Sequence, residues 1–114
     1  MCDKDKLKKI TDDVVKVVLS VSNKVDRIIL YGSQARGDSV EGSDIDILVI
    51  VDEPEESIRG FKKAIWDYTN DISLEQDEVV SLILKSRKDY NRMRNTLFYQ
   101  NVARDGIELY GRAS

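Results

Sequence analysis

The feature that most constrains the fold is a nearly continuous apolar run at residues 45–51. It reads Ile-Asp-Ile-Leu-Val-Ile-Val, and Asp46 is its only polar member. Side chains alternate between the two faces of a strand, so apolar residues at both parities predict a strand that is buried on both faces. A carboxylate that enters such a strand needs a partner, and a metal ion is the simplest one.

A second carboxylate lies two residues earlier. Asp44 and Asp46 share one face of the strand, about 7 Å apart at Cα for a rise of about 3.3 Å per residue. Mg²⁺ binds a few carboxylates and completes its octahedron with water and substrate phosphate. Two such ions, about 3.5–4 Å apart, clamp the attacking and leaving oxygens of a phosphoryl or nucleotidyl transfer. The pair therefore predicts a magnesium site.

Another apolar run, residues 28–31, leads into Gly32 and Ser33. Glycine lets the backbone approach an anion closely. Ser33 offers its N–H and its hydroxyl to phosphate, or caps a short helix over residues 34–36, whose N-terminus favours anions. Arg36 is a further candidate phosphate contact. Taken singly, a Gly-Ser pair is usually a turn and an Asp-x-Asp pair is often a surface feature; their order and spacing favour a site.

The combined pattern is Gly32-Ser33-x10-Asp44-x-Asp46, or more fully Gly-Ser-x-Ala-Arg-Gly-x5-Ser-Asp-x-Asp. It resembles the signature of the DNA polymerase β nucleotidyltransferase superfamily. More narrowly, the chain is similar to the minimal nucleotidyltransferases of the MntA-like antitoxin type, small prokaryotic proteins often encoded beside a HEPN-domain protein. The resemblance adds Ser43 to Gly32, Ser33 and Arg36 as a nucleotide-binding residue.

The resemblance also implies a third carboxylate, on the strand after the long helix. Glu75, Asp77 and Glu78 are the candidates. Asp77 matches best because a mostly apolar strand follows it, and it would share a face with Val79 and Ser81. The family position is normally followed at once by an apolar residue, whereas Glu78 follows here, so all three candidates stay open.

The implied activity is a Mg²⁺-dependent transfer of a nucleoside monophosphate, AMP from ATP, to a hydroxyl. Asp44 and Asp46 would hold one Mg²⁺ on the triphosphate, and the same pair with Asp77 would hold a second near the acceptor. Asp77 would also take the acceptor's proton. In the family the acceptor is often a tyrosine of a HEPN-domain toxin, and the transferase then acts as an antitoxin.

Two alternatives to this activity remain at the level of sequence. One is a small-molecule acceptor such as an aminoglycoside, although the larger relatives that use one carry an additional helical domain. The other is a non-catalytic module that binds Mg·NTP or a partner. The net charge of −3 argues against nucleic acid as a partner. Residues 1–84 carry 11 basic and 18 acidic side chains, whereas residues 85–114 carry 7 and 3.

Composition sets the remaining bounds. A chain of 114 residues predicts one domain, residues 1–114. There is no histidine, and Cys2 is the only cysteine, so histidine bases, histidine–metal sites and intrachain disulfides are excluded. The sequence has no signal peptide and no apolar run of membrane length, which makes the cytoplasm the default expectation. A bare edge in so small a sheet would favour a partner or self-association.

Periodicity and turn residues predict an α/β (α+β) fold: a small mixed sheet with helices mainly on one face and the carboxylate face open. Pro54 and the acids around it mark a helix start, Ser86 is a candidate helix cap, and Gly106 a helix stop. The predicted helices are residues 4–22, 54–73, 87–94 and 97–105, and residues 32–37 are predicted to form a turn and a short helix. The predicted strands are residues 25–31, 45–52 and 74–84, with 107–110 as a candidate fourth.

Overall fold

The structure, a computed structural model, describes residues 4–38 and 44–112. Helices and strands alternate along most of this length, and their order agrees with the sequence-based expectation. The elements are α1 (Lys4–Val21), β1 (Val25–Tyr31), α2 (Ser33–Arg36), β2 (Ile45–Val51), α3 (Glu55–Gln76), β3 (Val80–Ser86), α4 (Arg87–Met93), α5 (Leu97–Asp105) and β4 (Ile107–Gly111).

Four strands form one mixed sheet in the order β3-β2-β1-β4. β1 runs antiparallel to both of its neighbours, while β2 and β3 are parallel and are joined through α3. A parallel pair needs a crossover connection of this kind. The predicted fold class, a small mixed sheet with helices, is thereby confirmed.

β2 lies inside the sheet, and every residue of it except Asp46 is buried. Its odd-numbered residues pack with α1 and α3 in the larger hydrophobic cluster, on what we call the α1/α3 face. Leu48 and Ile50 pack with Tyr99 and Val102 of α5 in a second cluster, on the α5 face. The expected burial of this strand on both faces is therefore observed.

The two faces of the sheet are covered unequally. The long helices α1 and α3 cover the α1/α3 face and supply buried side chains along their length. The opposite face, which was expected to be open, is partly covered by α5, whose Tyr99 and Val102 are buried. Asp46 has the same strand parity as Leu48 and Ile50, so it lies on this partly covered face.

The predicted strand over residues 74–84 begins too early. α3 continues through Gln76, and β3 starts only at Val80. Leu, Glu and Gln at positions 74–76 are all good helix formers, and tertiary packing of α3 carries the helix through them. Asp77 then ends α3 in the left-handed conformation, φ 54° and ψ 44°, with its N–H donating to the Ser73 carbonyl.

The other predicted helix boundaries agree with the structure. Pro54 precedes α3, and Glu55 and Glu56 occupy its first turn. Ser86 caps α4, where its Oγ accepts a hydrogen bond of 3.1 Å from the Asp89 N–H. Among the helices of the described residues, none combines the length and the apolar character needed to cross a membrane.

The burial of the core predicts that alanine substitutions at two isoleucines lower the free energy of unfolding by very different amounts. Ile47 in β2 is fully buried, whereas Ile107 in β4 is 48% exposed. We expect Ile47→Ala to lower the free energy of unfolding by about 2–5 kcal/mol, because it leaves a cavity between the sheet and two helices. Ile107→Ala, the matched control, should cost about 1 kcal/mol or less. Urea unfolding followed by far-UV circular dichroism measures both, and equal costs would contradict the assigned strand parity.

Candidate active site

The pairing of β1 with β2 brings the Gly32 bend against an acidic side chain. Tyr31, the last residue of β1, is the register partner of Asp46 in β2. A Cβ atom placed on Gly32 would overlap the Asp46 Oδ2. Gly32 has φ 76° and ψ −157°, a backbone region that is essentially restricted to glycine. Both the space and the backbone therefore require glycine at this position.

Charges converge on Asp46 at the same place. Burial raises the pKa of the Asp46 carboxyl above its ordinary value, and the nearby charge of Asp44 raises it further, while the charge of Arg36 opposes the shift. Asp44 itself is exposed at the entrance of β2. The structure thus brings together four residues that the sequence singled out: Gly32, Arg36, Asp44 and Asp46.

This pair of carboxylates suits a divalent cation. Two negative charges lie close enough for one to affect the other, and one of them is half-buried. A cation between them would relieve both the repulsion and the desolvation. Carboxylate oxygens are hard ligands, which Mg²⁺ prefers, and it leaves its other positions to water and phosphate. Asp44 and Asp46 would hold the ion, whose chemistry there would be to neutralise phosphate charge.

Among the described residues, no third carboxylate joins Asp44 and Asp46 in a metal-binding cluster. Across residues 4–38 and 44–112, no three acidic or cysteine side chains lie close enough to hold a metal ion. Glu78 forms an ion pair of 3.2 Å with Lys6 of α1, and the charge of Glu75 acts on Lys9 of the same helix. Asp77 caps α3, three residues before β3 begins, so the prediction that it enters the strand is wrong.

The position beside Asp46 on the neighbouring strand is occupied by Ser81. The two residues are register partners in the parallel pair of β2 and β3. Ser81 has the same parity as Ile83, which packs on the α5 face, so its hydroxyl lies on the Asp46 side of the sheet. Sequence reasoning missed Ser81, because its register becomes readable only once β3 is known to begin at Val80.

The remaining predicted site residues lie around the bend with mixed outcomes. Gly32, not Ser33, occupies the N-cap position of α2, and no side chain caps that helix. The Ser33 carbonyl accepts hydrogen bonds from the Gly37 and Asp38 N–H groups. Arg36 is exposed, and its Nε donates to the Asp38 carboxylate at 3.2 Å. Ser43 falls outside the described residues.

A cleft of about 220 Å³ adjoins the bend on its β1 side. It lies between the end of β1 and α5, and Tyr31, Arg36 and Phe98 contribute to its walls. Burial, followed by the charges of Asp46 and Tyr99, raises the pKa of the Tyr31 phenol to about 12, so the phenol keeps its proton at neutral pH. Sequence reasoning assigned no role to this cleft, although the place of Tyr31 directly before the bend was a usable signal.

Comparisons with known proteins found a matching family and similar proteins. The family described as "Nucleotidyltransferase domain" matches residues 5–99. The Methanocaldococcus jannaschii protein named "Putative protein adenylyltransferase MJ0604" is 35% identical over 91 residues, which are 76% of this chain and 80% of that protein.

Solved structures show the same fold. A crystal structure of a toxin–antitoxin with AMP-PNP contains a chain with a TM-score of 0.63 and 25% identity, covering 90% of this chain and 73% of that one. A structure of an AMPylated Shewanella oneidensis HEPN toxin with an MNT antitoxin gives a TM-score of 0.59 at 23% identity, covering 93% and 73%. The second likeness concerns the fold alone.

The close approach of Gly32 to Asp46 predicts that alanine substitutions at two glycines with positive φ have different effects on Mg²⁺ affinity. Gly32 and Gly37 have φ 76° and φ 80°, but a Cβ on Gly37 meets nothing within 4 Å. Gly32→Ala should displace the Asp46 carboxylate and lower Mg²⁺ affinity at least tenfold, roughly the 1.4 kcal/mol of one weakened charge contact. Gly37→Ala, which also strains the backbone, should lose about 1 kcal/mol of stability and keep its Mg²⁺ affinity. Isothermal titration with MgCl₂ on the folded variants measures this; equal loss would mean that strain alone is responsible.

The raised pKa of Asp46 predicts that its ionised carboxylate lowers the free energy of unfolding. The folded chain binds this proton more tightly than the unfolded chain does, so stability falls as the pH rises through the carboxyl range. At pH 7 without divalent cations, we therefore expect Asp46→Asn to unfold at a higher urea concentration than the wild type. The gain should vanish near pH 3, where the wild-type carboxyl is protonated.

The control for this measurement is Asp71→Asn on α3, which removes the same charge from an exposed position. It should change the urea midpoint little at either pH. A lower midpoint for Asp46→Asn at pH 7 would mean that the ionised carboxylate stabilises the fold, contrary to the burial and repulsion found around it.

Proposed function

The chain belongs to the nucleotidyltransferase domain family, and from that premise we propose that it moves AMP from Mg·ATP to a hydroxyl group of a protein. The observation that carries the proposal is the contact between the Gly32 bend and Asp46, with Asp44 beside it. A bend that admits a phosphate and a carboxylate pair that suits Mg²⁺ thus adjoin each other, as transfer from a metal-bound triphosphate requires.

In the proposed reaction the acceptor oxygen forms a bond with the α-phosphorus of ATP. The bond from that phosphorus to the bridging oxygen of the β-phosphate breaks, and pyrophosphate leaves. Asp44 and Asp46 would hold Mg²⁺, while Gly32, Ser33 and Arg36 would contact the β- and γ-phosphates. The chain has no histidine, so the acceptor's proton passes to a carboxylate or to water.

The protein groups mainly position the phosphates and neutralise their charge. This is sufficient for a reaction whose transition state spreads negative charge over phosphate oxygens. Asp77 as a third ligand rests on the family resemblance alone, since it caps α3. We therefore assign the metal-binding role to Asp44 and Asp46 only.

A protein acceptor, specifically a tyrosine of a HEPN-domain partner, is the acceptor we favour. Two findings support a protein acceptor: a relative at 35% identity carries the name of a protein adenylyltransferase, and a toxin–antitoxin structure with AMP-PNP shares the fold at 25% identity. The tyrosine and the HEPN domain rest on the family resemblance.

Labelled ATP tests the proposal directly. The chain and MgCl₂ are incubated with a candidate HEPN-domain protein and ATP labelled at the α-phosphate, and in parallel with ATP labelled at the γ-phosphate. We expect label on the partner protein only from the α-labelled nucleotide, because the γ-phosphate leaves with pyrophosphate. Asp44→Asn and Asp46→Asn should each reduce the transfer at least about 100-fold.

Asp71→Asn on α3 is again the charge-matched control and should retain full transfer. Label transferred from γ-labelled ATP would replace the proposal with a phosphotransferase. Tight binding of Mg·ATP without transfer to the partner, to itself or to an aminoglycoside would favour a non-catalytic nucleotide-binding module. Transfer that survives in the Asp44→Asn/Asp46→Asn double variant would overturn the assigned site.

A further inference from the structure

The cleft between β1 and α5 lies directly next to the proposed phosphate site. Gly32 and Arg36 belong both to its lining and to the bend, so the cleft begins where the phosphate contacts end. Its volume of about 220 Å³ lies below the range of about 300–1,000 Å³ found for pockets that enclose whole drug-sized ligands. It therefore suits one ring system, while charged groups attached to that ring remain outside at the bend.

Aromatic rings form the wall of the cleft. The Tyr31 and Phe98 rings meet edge to face, with centroids 5.4 Å apart and an interplanar angle of 85°. Phe98 is also held edge to face against Tyr99 at 5.0 Å. Despite these contacts Phe98 stays 40% exposed. A fixed ring with a free surface beside a cleft is suited to stacking against a planar ligand.

Polar groups of α5 complete the lining. Asn101 lies three residues after Phe98 and Asp105 four residues after Asn101, so the three side chains follow one side of the helix. Within the described residues the Asn101 amide donates to and accepts from no other side chain or backbone group. An amide with a free donor and a free acceptor can turn to pair with the polar edge of a purine, which presents an acceptor next to a donor.

The position of the cleft indicates that the nucleotide occupies it and that the acceptor does not. The sheet order is β3-β2-β1-β4, so the bend and the cleft lie on the β1 side of Asp46, and Ser81 lies on the β3 side. In an in-line transfer the attacking oxygen approaches opposite the leaving pyrophosphate. With pyrophosphate at the bend, the acceptor arrives from the β3 side, and the cleft is left to the nucleotide.

We propose that the cleft is the nucleobase subsite, in which a purine stacks on Phe98 beside Tyr31 and presents its polar edge to Asn101. This inference rests on the proposed function, because it places the triphosphate at the Gly32 bend. It makes Phe98 and Asn101 base-binding residues that contact no reacting atom.

The test compares a ligand that has a base with one that lacks it. Isothermal titration of the full chain uses Mg·AMP-PNP and Mg·tripolyphosphate. Phe98→Ala should weaken the binding of AMP-PNP about tenfold, as expected for the loss of one stacking contact, and leave tripolyphosphate affinity unchanged. Leu97→Ala, the matched control, removes a neighbouring α5 side chain that is 73% exposed and lies outside the cleft; it should change neither affinity.

A second variant tests recognition of the base edge. Asn101→Ala should weaken the binding of Mg·AMP-PNP about fivefold, as expected for the loss of one hydrogen-bonded contact to the base, and leave the affinity for Mg·tripolyphosphate unchanged. This variant keeps the test informative if Phe98→Ala fails to fold, which circular dichroism would show.

The outcomes separate this inference from the function on which it depends. If Phe98→Ala and Asn101→Ala weaken both ligands equally, or leave both affinities unchanged, the subsite is overturned although nucleotide binding persists. If Phe98→Ala keeps its nucleotide affinity but loses transfer to the protein acceptor, the cleft holds the acceptor instead. Wild-type chain that binds AMP-PNP with the predicted variant effects, yet transfers nothing, would overturn the proposed function and support the subsite.

Discussion

The antiparallel pairing of β1 with β2 is the constraint on which the site depends. Because Tyr31 pairs with Asp46, the residue after Tyr31 turns directly over the Asp46 carboxylate, and only a residue without a side chain fits there. The same register carries Asp44 past the end of the strand to an exposed position beside Asp46. One set of ladder hydrogen bonds thus positions both the bend and the acidic pair.

That pairing is itself held by burial on two sides. The odd positions of β2 pack under α1 and α3, and Leu48 and Ile50 pack under α5. A slip of one residue would exchange these two sets and move Asp46 into the apolar layer beneath the long helices, where a carboxylate has no partner. The apolar run that defines the strand therefore also fixes the direction in which its one charged side chain points.

Local signals predicted most of the fold. The apolar runs, Pro54, Ser86 and Gly106 gave the elements in their correct order, because each marks a boundary with a backbone or capping requirement of its own. The end of α3 was misplaced since residues 74–76 favour a helix by propensity and a strand by their place before an apolar run. No local signal decides between the two; the packing of α3 on the sheet does.

The same error limited what the sequence could predict of the site. Gly32, Arg36, Asp44 and Asp46 were found because they are close in the chain as well as in space. Ser81 comes beside Asp46 through strand register, and Phe98 and Asn101 line the neighbouring cleft through the docking of α5; neither is written in a short motif. The prediction of Asp77 as a third ligand depended on this misplaced strand boundary, and it stays a prediction.

β3 is an edge strand of the sheet, and this sets the distance between Asp46 and the edge. Within the described residues β3 has β2 on one side and no strand on the other. Asp46 is thus only one strand spacing, about 4.8 Å, inward from this edge. A side chain that approaches Asp46 from beyond this edge therefore needs to span little more than that width, and the sheet does not have to open for it.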